Sequence, residues 1–179
     1  FLCVASLHKP ALEQLRLVGG RSFTLYIDGL SQDEFDAVIP HCRSKMVICD
    51  SRFISDLSPL VNSPLLSHLW LRTHSEQVKG LSNLTRLRWL RADCLNDTSL
   101  TAQMALLPEL TTLVINSCDC VADFAQISRC TQLRHLHIQH TDIAAFRHIA
   151  SLTNLETLSL ASTDSGLPPD LSGLAALSQ

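Results

Sequence analysis

Three histidines lie close together in the segment LRHLHIQHTDI, which covers residues 133–143. The spacing of His135, His137 and His140 raises the possibility of a metal site, because imidazole nitrogens are frequent zinc ligands. A zinc site needs three or four ligands, and no Cys or carboxylate occupies the positions expected to flank His135 and His137. We therefore predict no metal site and no cofactor, and interpret these histidines as polar side chains on an exposed surface.

The cysteines offer a second possible chemistry, since the segment SCDC (117–120) is a potential redox pair or half of a metal site. The chain has seven cysteines, an odd number without the spacing of a disulfide framework. We interpret them as reduced, buried, small hydrophobic residues, which predicts an intracellular, cytoplasmic protein. They are Cys3, Cys42, Cys49, Cys94, Cys118, Cys120 and Cys130. The alternative is a secreted or cell-surface protein, because Asn83 and Asn96 begin formal glycosylation triplets.

Other classes of function are not favoured by the residues present. The chain shows no nucleophile elbow, phosphate-binding loop or paired-carboxylate motif, so we predict that it is not an enzyme. Its 14 basic residues are outnumbered by 17 acidic ones and form no basic run, so we expect no nucleic acid as partner. No apolar segment reaches the roughly 18 residues that a membrane span requires.

An internal repeat of roughly 22 residues determines where the histidines lie. Five segments align on the leucine anchors Leu69, Leu90, Leu113, Leu136 and Leu158. The columns nine, six and three residues before each anchor, and two after it, are apolar apart from Ser63. The alternation L-x-L predicts a half-buried strand whose leucines point inward. One such unit cannot bury its apolar side alone, so the repeats must stack into an elongated core.

With its pattern L-x-x-L-x-L, the chain resembles the leucine-rich-repeat superfamily, and its period resembles the short SDS22-like and internalin-like classes. The resemblance is strongest over residues 54–165, where ISDLSPL (54–60) and TDIAAFRHIASLTNL (141–155) carry the loop style. It implies an α/β solenoid, a horseshoe with a concave parallel β-sheet and convex short helices or 3₁₀ turns. It also implies a short polar side chain five residues after each anchor. Cys118, Thr141 and Thr163 fit this rule, whereas His74 and Leu95 depart from it and predict distorted loops.

The predicted domain organisation is a single domain over residues 1–179 with about seven to eight repeats. We divide it into irregular repeats over 1–45, regular repeats over 46–165 and a truncated last repeat over 166–179. No polar cap ends this last repeat, so we expect the chain to be a fragment of a longer protein.

The amino-terminal third is less regular than the rest. We expect strands anchored at Met46 and Leu25, with a convex helix between them that begins after Ser31. Phe35, Val38 and Ile39 recur at helical spacing in this segment. A further repeat-like strand is centred on Leu15, only ten residues from Leu25, too few for a full repeat. We therefore expect one of these two strands, at Leu15 or at Leu25, to be a hairpin arm or a capping strand.

Outward-pointing residues lie one before, one after and three after each anchor, and they form three rows across the predicted sheet. The first predicted row is Thr24, Lys45, His68, Trp89, Thr112, His135 and Thr157. The second is Tyr26, Val47, Trp70, Arg91, Val114, His137 and Ser159. The third is Asp28, Cys49, Arg72, Asp93, Asn116, Gln139 and Ala161. Both tryptophans and the only tyrosine fall on these rows, and Arg72 is placed to pair with Asp93.

Exposed Trp, Arg and His side chains on one surface are typical of a protein-binding hot spot. We predict a non-catalytic protein–protein interaction module that binds another protein on its concave face. The predicted partner-binding residues are Tyr26, His68, Trp70, Arg72, Trp89, Arg91, Asp93, His135 and His137. The alternative for the tryptophans is that they cover the sheet, with Arg91 stacked on Trp70 within the chain. The alternatives for the whole chain are a structural or assembly scaffold and the substrate-recognition arm of a larger enzyme such as a ubiquitin ligase.

Overall fold

A single parallel sheet with a layer of short helical segments makes up the fold. The computed structural model describes residues 2–4, 24–73, 75, 77–93, 99–116, 124–139 and 146–161. The strands are β1 (Leu2–Val4), β2 (Thr24–Asp28), β3 (Met46–Asp50), β4 (His68–Arg72), β5 (Trp89–Asp93), β6 (Thr112–Asn116), β7 (His135–Gln139) and β8 (Thr157–Ala161). Each strand pairs in parallel with the next strand along the chain, so the order in the sheet is the order in the sequence.

The helical segments lie in the connections between strands. The α-helices are α1 (Gln32–Val38), α2 (Ser99–Met104) and α3 (Phe124–Ile127). The 3₁₀ helices are Ile39–His41, Ser58–Asn62, Leu81–Asn83 and Phe146–Ser151. Their apolar residues and the inward residues of the strands form one continuous hydrophobic core. This arrangement confirms the predicted stack of repeats, in which each unit completes the core of its neighbours.

The residues of the leucine columns lie inside this core. All of the column residues are buried except Leu155, Leu158 and Leu160, which are partly buried and pack against the core. Ser63 is the one polar member of the columns and is only 5% exposed. Its Oγ has no hydrogen-bond partner among the described residues. The hydroxyl therefore loses its hydration without a compensating bond.

Helix α1 forms as the sequence predicts, with Ser31 as its N-cap. The Ser31 Oγ accepts a hydrogen bond from the Glu34 backbone N–H at 3.3 Å, and the Glu34 carboxylate accepts one from the Ser31 N–H at 2.9 Å. This reciprocal arrangement is a capping box, which satisfies two backbone donors that the helix leaves free. Phe35 and Val38 are fully buried, so they fix which side of the helix faces the core.

Amide side chains join successive repeats. The Oε1 of Gln32 accepts hydrogen bonds from the backbone N–H groups of Ser55 and Asp56, both at 3.0 Å. Gln103 makes the same kind of link between other repeats, because its Oε1 accepts from Leu81 N–H at 3.1 Å and its Nε2 donates to Val78 C=O at 2.6 Å. These bonds satisfy backbone groups in the connections between strands.

The register of β3 differs from the sequence prediction by one residue. Val47, and not Met46, aligns with Leu25 and Leu69 as the anchor of its repeat. Val47 and Cys49 are both fully buried in the core. The segment Met46–Cys49 is apolar throughout, so alternation alone cannot distinguish its two sides. The outward residues of β3 are therefore Met46, Ile48 and Asp50, and the predicted Lys45, Val47 and Cys49 are wrong.

The amino-terminal end contains a strand that the sequence reading missed. Leu2 pairs with Leu25 in register, so β1 precedes β2 by one full repeat. The predicted strand around Leu15 lies outside the described residues. So do the predicted loop positions His74, Leu95, Cys118, Thr141 and Thr163.

Candidate partner-binding site

We call the side of the sheet opposite the hydrophobic core the open face; it corresponds to the surface predicted as concave. Row one of this face is Thr24, Met46, His68, Trp89, Thr112, His135 and Thr157. Row two is Tyr26, Ile48, Trp70, Arg91, Val114, His137 and Ser159. Row three is Asp28, Asp50, Arg72, Asp93, Asn116, Gln139 and Ala161. All nine residues predicted to bind a partner lie on these rows.

Three of these residues form a compact cluster at the centre of the open face, which we call the Trp70 cluster: Trp70, Arg91 and Asp93. The guanidinium of Arg91 lies over the Trp70 ring, with Cζ 4.4 Å from the ring centroid. The Trp70 Nε1 donates to Asp93 Oδ2 at 2.7 Å, and the Arg91 Nε donates to Oδ1 and Oδ2 at 2.9 and 3.0 Å. The stacking of Arg91 on Trp70, predicted as an alternative, is therefore present.

Burial of Asp93 makes the cluster depend on both of its hydrogen-bond donors. The residue is only 5% exposed, and a buried carboxylate is costly unless it is paired and hydrogen-bonded. Arg91 supplies the opposite charge and a donor, and Trp70 supplies a second donor. Removing either partner would leave the carboxylate underbonded, so each of the three side chains holds the other two in place.

The predicted pairing of Arg72 with Asp93 is wrong. Asp93 makes its salt bridge with Arg91, which lies two residues earlier on the same face of the same strand. Arg72 makes its salt bridge with Asp50, with Nη1 and Oδ2 3.5 Å apart. The Arg72 side chain is 51% exposed, so this salt bridge is of the weak surface kind.

His68 and Trp89 stack beside the Trp70 cluster. Their ring centroids are 6.1 Å apart with an interplanar angle of 29°. The Nδ1 of His68 is also hydrogen-bonded to the Ser67 hydroxyl at 2.8 Å. Burial lowers the pKa of His68 below its ordinary value, and the positive charges of Lys45 and Arg88 lower it further. The neutral form of the His68 imidazole is therefore favoured at pH 7.

His135 and His137 lie on the open face of β7, away from the tryptophans. Both are half-buried, and His135 Nδ1 is 3.2 Å from the Thr157 hydroxyl oxygen. Across the neighbouring strands they face Thr112, Val114, Thr157 and Ser159. Among the described residues there is no group of three His, Cys, Asp or Glu that could hold a metal ion. His140, the third histidine of the motif, lies outside that part of the chain.

The corrected register of β3 adds three residues that the sequence reading missed: Met46, Ile48 and Asp50. Ile48 lies between Tyr26 and Trp70 in row two and is only 8% exposed, although it points away from the core cluster. Asp50 accepts a hydrogen bond from the Tyr26 hydroxyl at 3.4 Å and pairs with Arg72. Aligning Tyr-Ile-Asp (26–28) with Ile-Cys-Asp (48–50) would have found the register, because both strands then end on an aspartate.

The open face continues into a depression of about 510 Å³ beside the carboxyl ends of β2–β4. It is lined by row-three side chains and by Arg52 and Phe53 of the following turn. Phe53 is 60% exposed, which is unusual for a large apolar side chain. The rim of the open face thus combines charged groups with an exposed aromatic ring.

The described cysteines have no role in this site. Cys42, Cys49 and Cys130 are free thiols and are buried. Burial raises the pKa of Cys42 and Cys49 to about 12 and that of Cys130 to about 11. Such thiols stay protonated at neutral pH and act as packing residues, as predicted. The side chains of Cys3, Cys94, Cys118 and Cys120 lie outside the described part of the chain.

Comparison with known proteins gives matches among solved structures only. No family model matches the chain, and neither does any curated protein. An internalin (inlF) from Listeria monocytogenes str. 4b F2365 matches with 24% identity and a TM-score of 0.60, covering 88% of this chain and 46% of its own. An internalin C2 (inlC2) from the same strain matches with 20% identity and a TM-score of 0.57, covering 94% of this chain and 79% of its own.

This chain therefore spans less than half the length of the first of these internalins. None of the helices in the described residues is long and apolar enough to cross a membrane. The ladder of parallel strands, the buried leucine columns and the likeness to two internalins together show that the chain has the leucine-rich-repeat fold.

Proposed function

We propose that the chain is a non-catalytic protein-interaction module that binds another protein on the open face of its sheet. The observation that carries this proposal is the Trp70 cluster, which fixes an indole and a guanidinium at the centre of that face. Trp, Tyr and Arg dominate the energetically important positions of protein interfaces. The core does not require them here, since the leucine columns bury the other side of the sheet.

Rigidity of these side chains favours binding. A side chain that is already ordered loses less conformational entropy when a partner covers it, so more of the contact energy appears as affinity. Trp70 is held by Arg91 and Asp93, and Trp89 is stacked with His68. Both indoles are half-buried in the free chain, which leaves apolar surface for a partner to cover.

The proposed contact surface extends over β2–β5, a width of roughly 14 Å at the usual spacing between strands. It consists of the predicted Tyr26, His68, Trp70, Arg72, Trp89, Arg91 and Asp93, together with Met46, Ile48 and Asp50. His135 and His137 extend it toward β8, where the neighbouring side chains are small. We also propose an intracellular location, with which the free, buried thiols agree.

A structural or assembly scaffold is the second candidate. Val61, Leu65 and Leu106 are 50%, 48% and 60% exposed, and all three lie in the connections between strands. If these side chains mediate assembly, the protein should self-associate with increasing concentration. Substitutions on the open face should then leave that association unchanged.

Affinity capture from a lysate of the source organism tests the proposal. The bait would be the wild-type chain, the double variant Trp70→Ala/Trp89→Ala, and Leu106→Ala as a matched control that removes an exposed apolar side chain elsewhere. Circular dichroism would establish that each variant is folded. A partner retained by the wild type and by Leu106→Ala but lost by the double variant supports open-face binding. Equal capture by all three baits contradicts it.

A further inference from the structure

The open face has an uneven distribution of charge. Across β2–β8, rows one and two contain no carboxylate. Apart from the Tyr26 phenol, their ionisable side chains are His68, Arg91, His135 and His137. None of these four side chains can carry a negative charge. Rows one and two therefore place no carboxylate of their own against an acidic group of a partner.

The acidic residues of the face all lie on row three, and two of them are already neutralised. Asp93 is buried and bound by Arg91 and Trp70, so a partner cannot reach its charge. Asp50 is paired with Arg72 and accepts a hydrogen bond from Tyr26. Asp28 is exposed at the carboxyl end of β2, three strands away from Arg91.

Arg91 has unused hydrogen-bonding capacity at the centre of this surface. Its Nε donates to Asp93, and within the described part of the chain no acceptor binds its Nη1 or Nη2. The side chain remains 31% exposed. Its orientation is fixed by the Trp70 ring and by Asp93, so the end of the guanidinium is held ready for a planar acceptor. Two parallel N–H···O bonds to a carboxylate are the arrangement that this end of an arginine favours.

We propose that the partner delivers a carboxylate, from an Asp or Glu side chain flanked by apolar residues, to the Nη1 and Nη2 groups of Arg91. This inference rests on the proposed function, since it names the chemistry recognised by the same face. Trp70 and Val114 flank Arg91 in row two, and Trp89 lies two residues before it on β5, so a partner that covers this apolar surface would exclude water and strengthen a charge-assisted bond. Nucleic acid fits less well, because rows one and two carry a single permanent cation.

Matched peptides test the proposal directly. Random peptides displayed on phage would be selected on the wild-type chain, after depletion on Trp89→Ala to remove those that bind elsewhere. The best binder would be compared with its copy in which the acidic residue becomes its amide. We expect this change to weaken binding to the wild type by about tenfold or more, as for other hydrogen bonds to charged groups.

A double-mutant cycle assigns that loss to Arg91. In Arg91→Met/Asp93→Asn the charge pair is replaced by neutral side chains of similar size, and the acid and amide peptides should bind within about twofold of each other. Arg129→Gln removes the same charge from a position outside the open face and should retain the tenfold preference. In the wild type, both tryptophan indole N–H signals should shift with the acid peptide, so the proposal remains testable if the variant does not fold.

Selected peptides that depend on Trp89 but show no preference for acid over amide would overturn this inference and leave the proposed function standing. A preference that persists in Arg91→Met/Asp93→Asn would also overturn it. If single-stranded DNA binds more tightly and displaces the acid peptide, the partner is a nucleic acid and the inference is overturned. If no selected peptide depends on Trp89, both proposals fail.

Discussion

The guanidinium of Arg91 lies over the Trp70 ring, with Cζ 4.4 Å from the ring centroid, while its Nε donates to both carboxylate oxygens of Asp93. Arg91 and Trp70 are direct neighbours on β5 and β4. We therefore expect the three side chains to behave as one unit, because the buried carboxylate depends on both of its donors. Substitution of one member should change the environment of the other two.

We expect Arg91→Ala to destabilise the chain by about 1–3 kcal/mol, because it leaves Asp93 buried with one donor and no opposite charge. The double variant Arg91→Ala/Asp93→Asn should cost less than the sum of the two single substitutions, since it removes the charge together with its partner. Urea denaturation of the three variants measures this coupling. Strict additivity would show that the three residues do not act as a unit.

A second prediction separates the core from the surface. Leu113→Ala should destabilise the chain by roughly 2–5 kcal/mol, because Leu113 is fully buried and the truncation leaves a cavity. Leu106→Ala removes the same atoms from a side chain that is 60% exposed, and should change stability by less than about 0.5 kcal/mol. Urea denaturation again provides the measurement. A similar loss in both variants would contradict the described position of the leucine columns.

Ser63 provides a prediction in the opposite direction. Its Oγ is buried without a partner among the described residues, so Ser63→Ala should stabilise the chain by about 1 kcal/mol. Ser128→Ala serves as control, because that hydroxyl is hydrogen-bonded to Ala125 C=O. Thermal unfolding of both variants is the simplest comparison. A lower melting temperature for Ser63→Ala would show that the hydroxyl has a stabilising contact.

Thiol chemistry gives a prediction that depends on pH. Burial raises the pKa of Cys42 and Cys49 to about 12 and that of Cys130 to about 11. Only the thiolate reacts with iodoacetamide, so these three cysteines should resist alkylation at pH 8 in the folded chain and react once it is unfolded in urea. Mass spectrometry of the digested protein would locate the label. Rapid labelling of Cys49 in the folded state would contradict its described burial.

His68 gives the fifth prediction. Its pKa is lowered from the ordinary 6.5, first by burial and then by Lys45 and Arg88. As pH falls through 6.5 the unfolded chain takes up a proton on this imidazole before the folded chain does, so stability should decrease toward acid pH. An NMR titration should place the His68 pKa below 6.5, and Lys45→Ala should raise it. Lys79→Ala serves as control; a His68 pKa at or above 6.5 would count against the described packing.

The regular part of the fold could be predicted from the sequence because the same apolar columns recur in every repeat from β4 to β8, with two inward-pointing apolar residues in each strand. The same rule failed at β3, where four successive apolar residues from Met46 to Cys49 give no alternation. It also missed β1, since the motif around Leu15 matches the repeat pattern better than Leu2 does. In each case the error lies where the pattern of side chains is ambiguous.

Alternation of side chains predicted which residues lie on the open face, except at β3. It did not predict the contacts between those residues. The strand register places Arg72 and Asp93 side by side, but the sequence does not show whether two neighbouring side chains form a salt bridge. The choice of Arg91 as partner for Asp93 depends on side-chain conformations and on the burial of Asp93. Such choices are decided by packing in three dimensions, which a one-dimensional pattern does not contain.

Because the strands lie in the sheet in the order of the chain, the distance between two strands depends on the number of repeats between them. Adding or losing one complete repeat between β5 and β7 would leave every other pairing intact. It would move the histidines of β7 relative to the Trp70 cluster by one strand spacing, about 4.8 Å. The number of repeats thus sets the distance between these two places in steps of one strand spacing. A partner that contacts both places would therefore distinguish arrays that differ by one repeat.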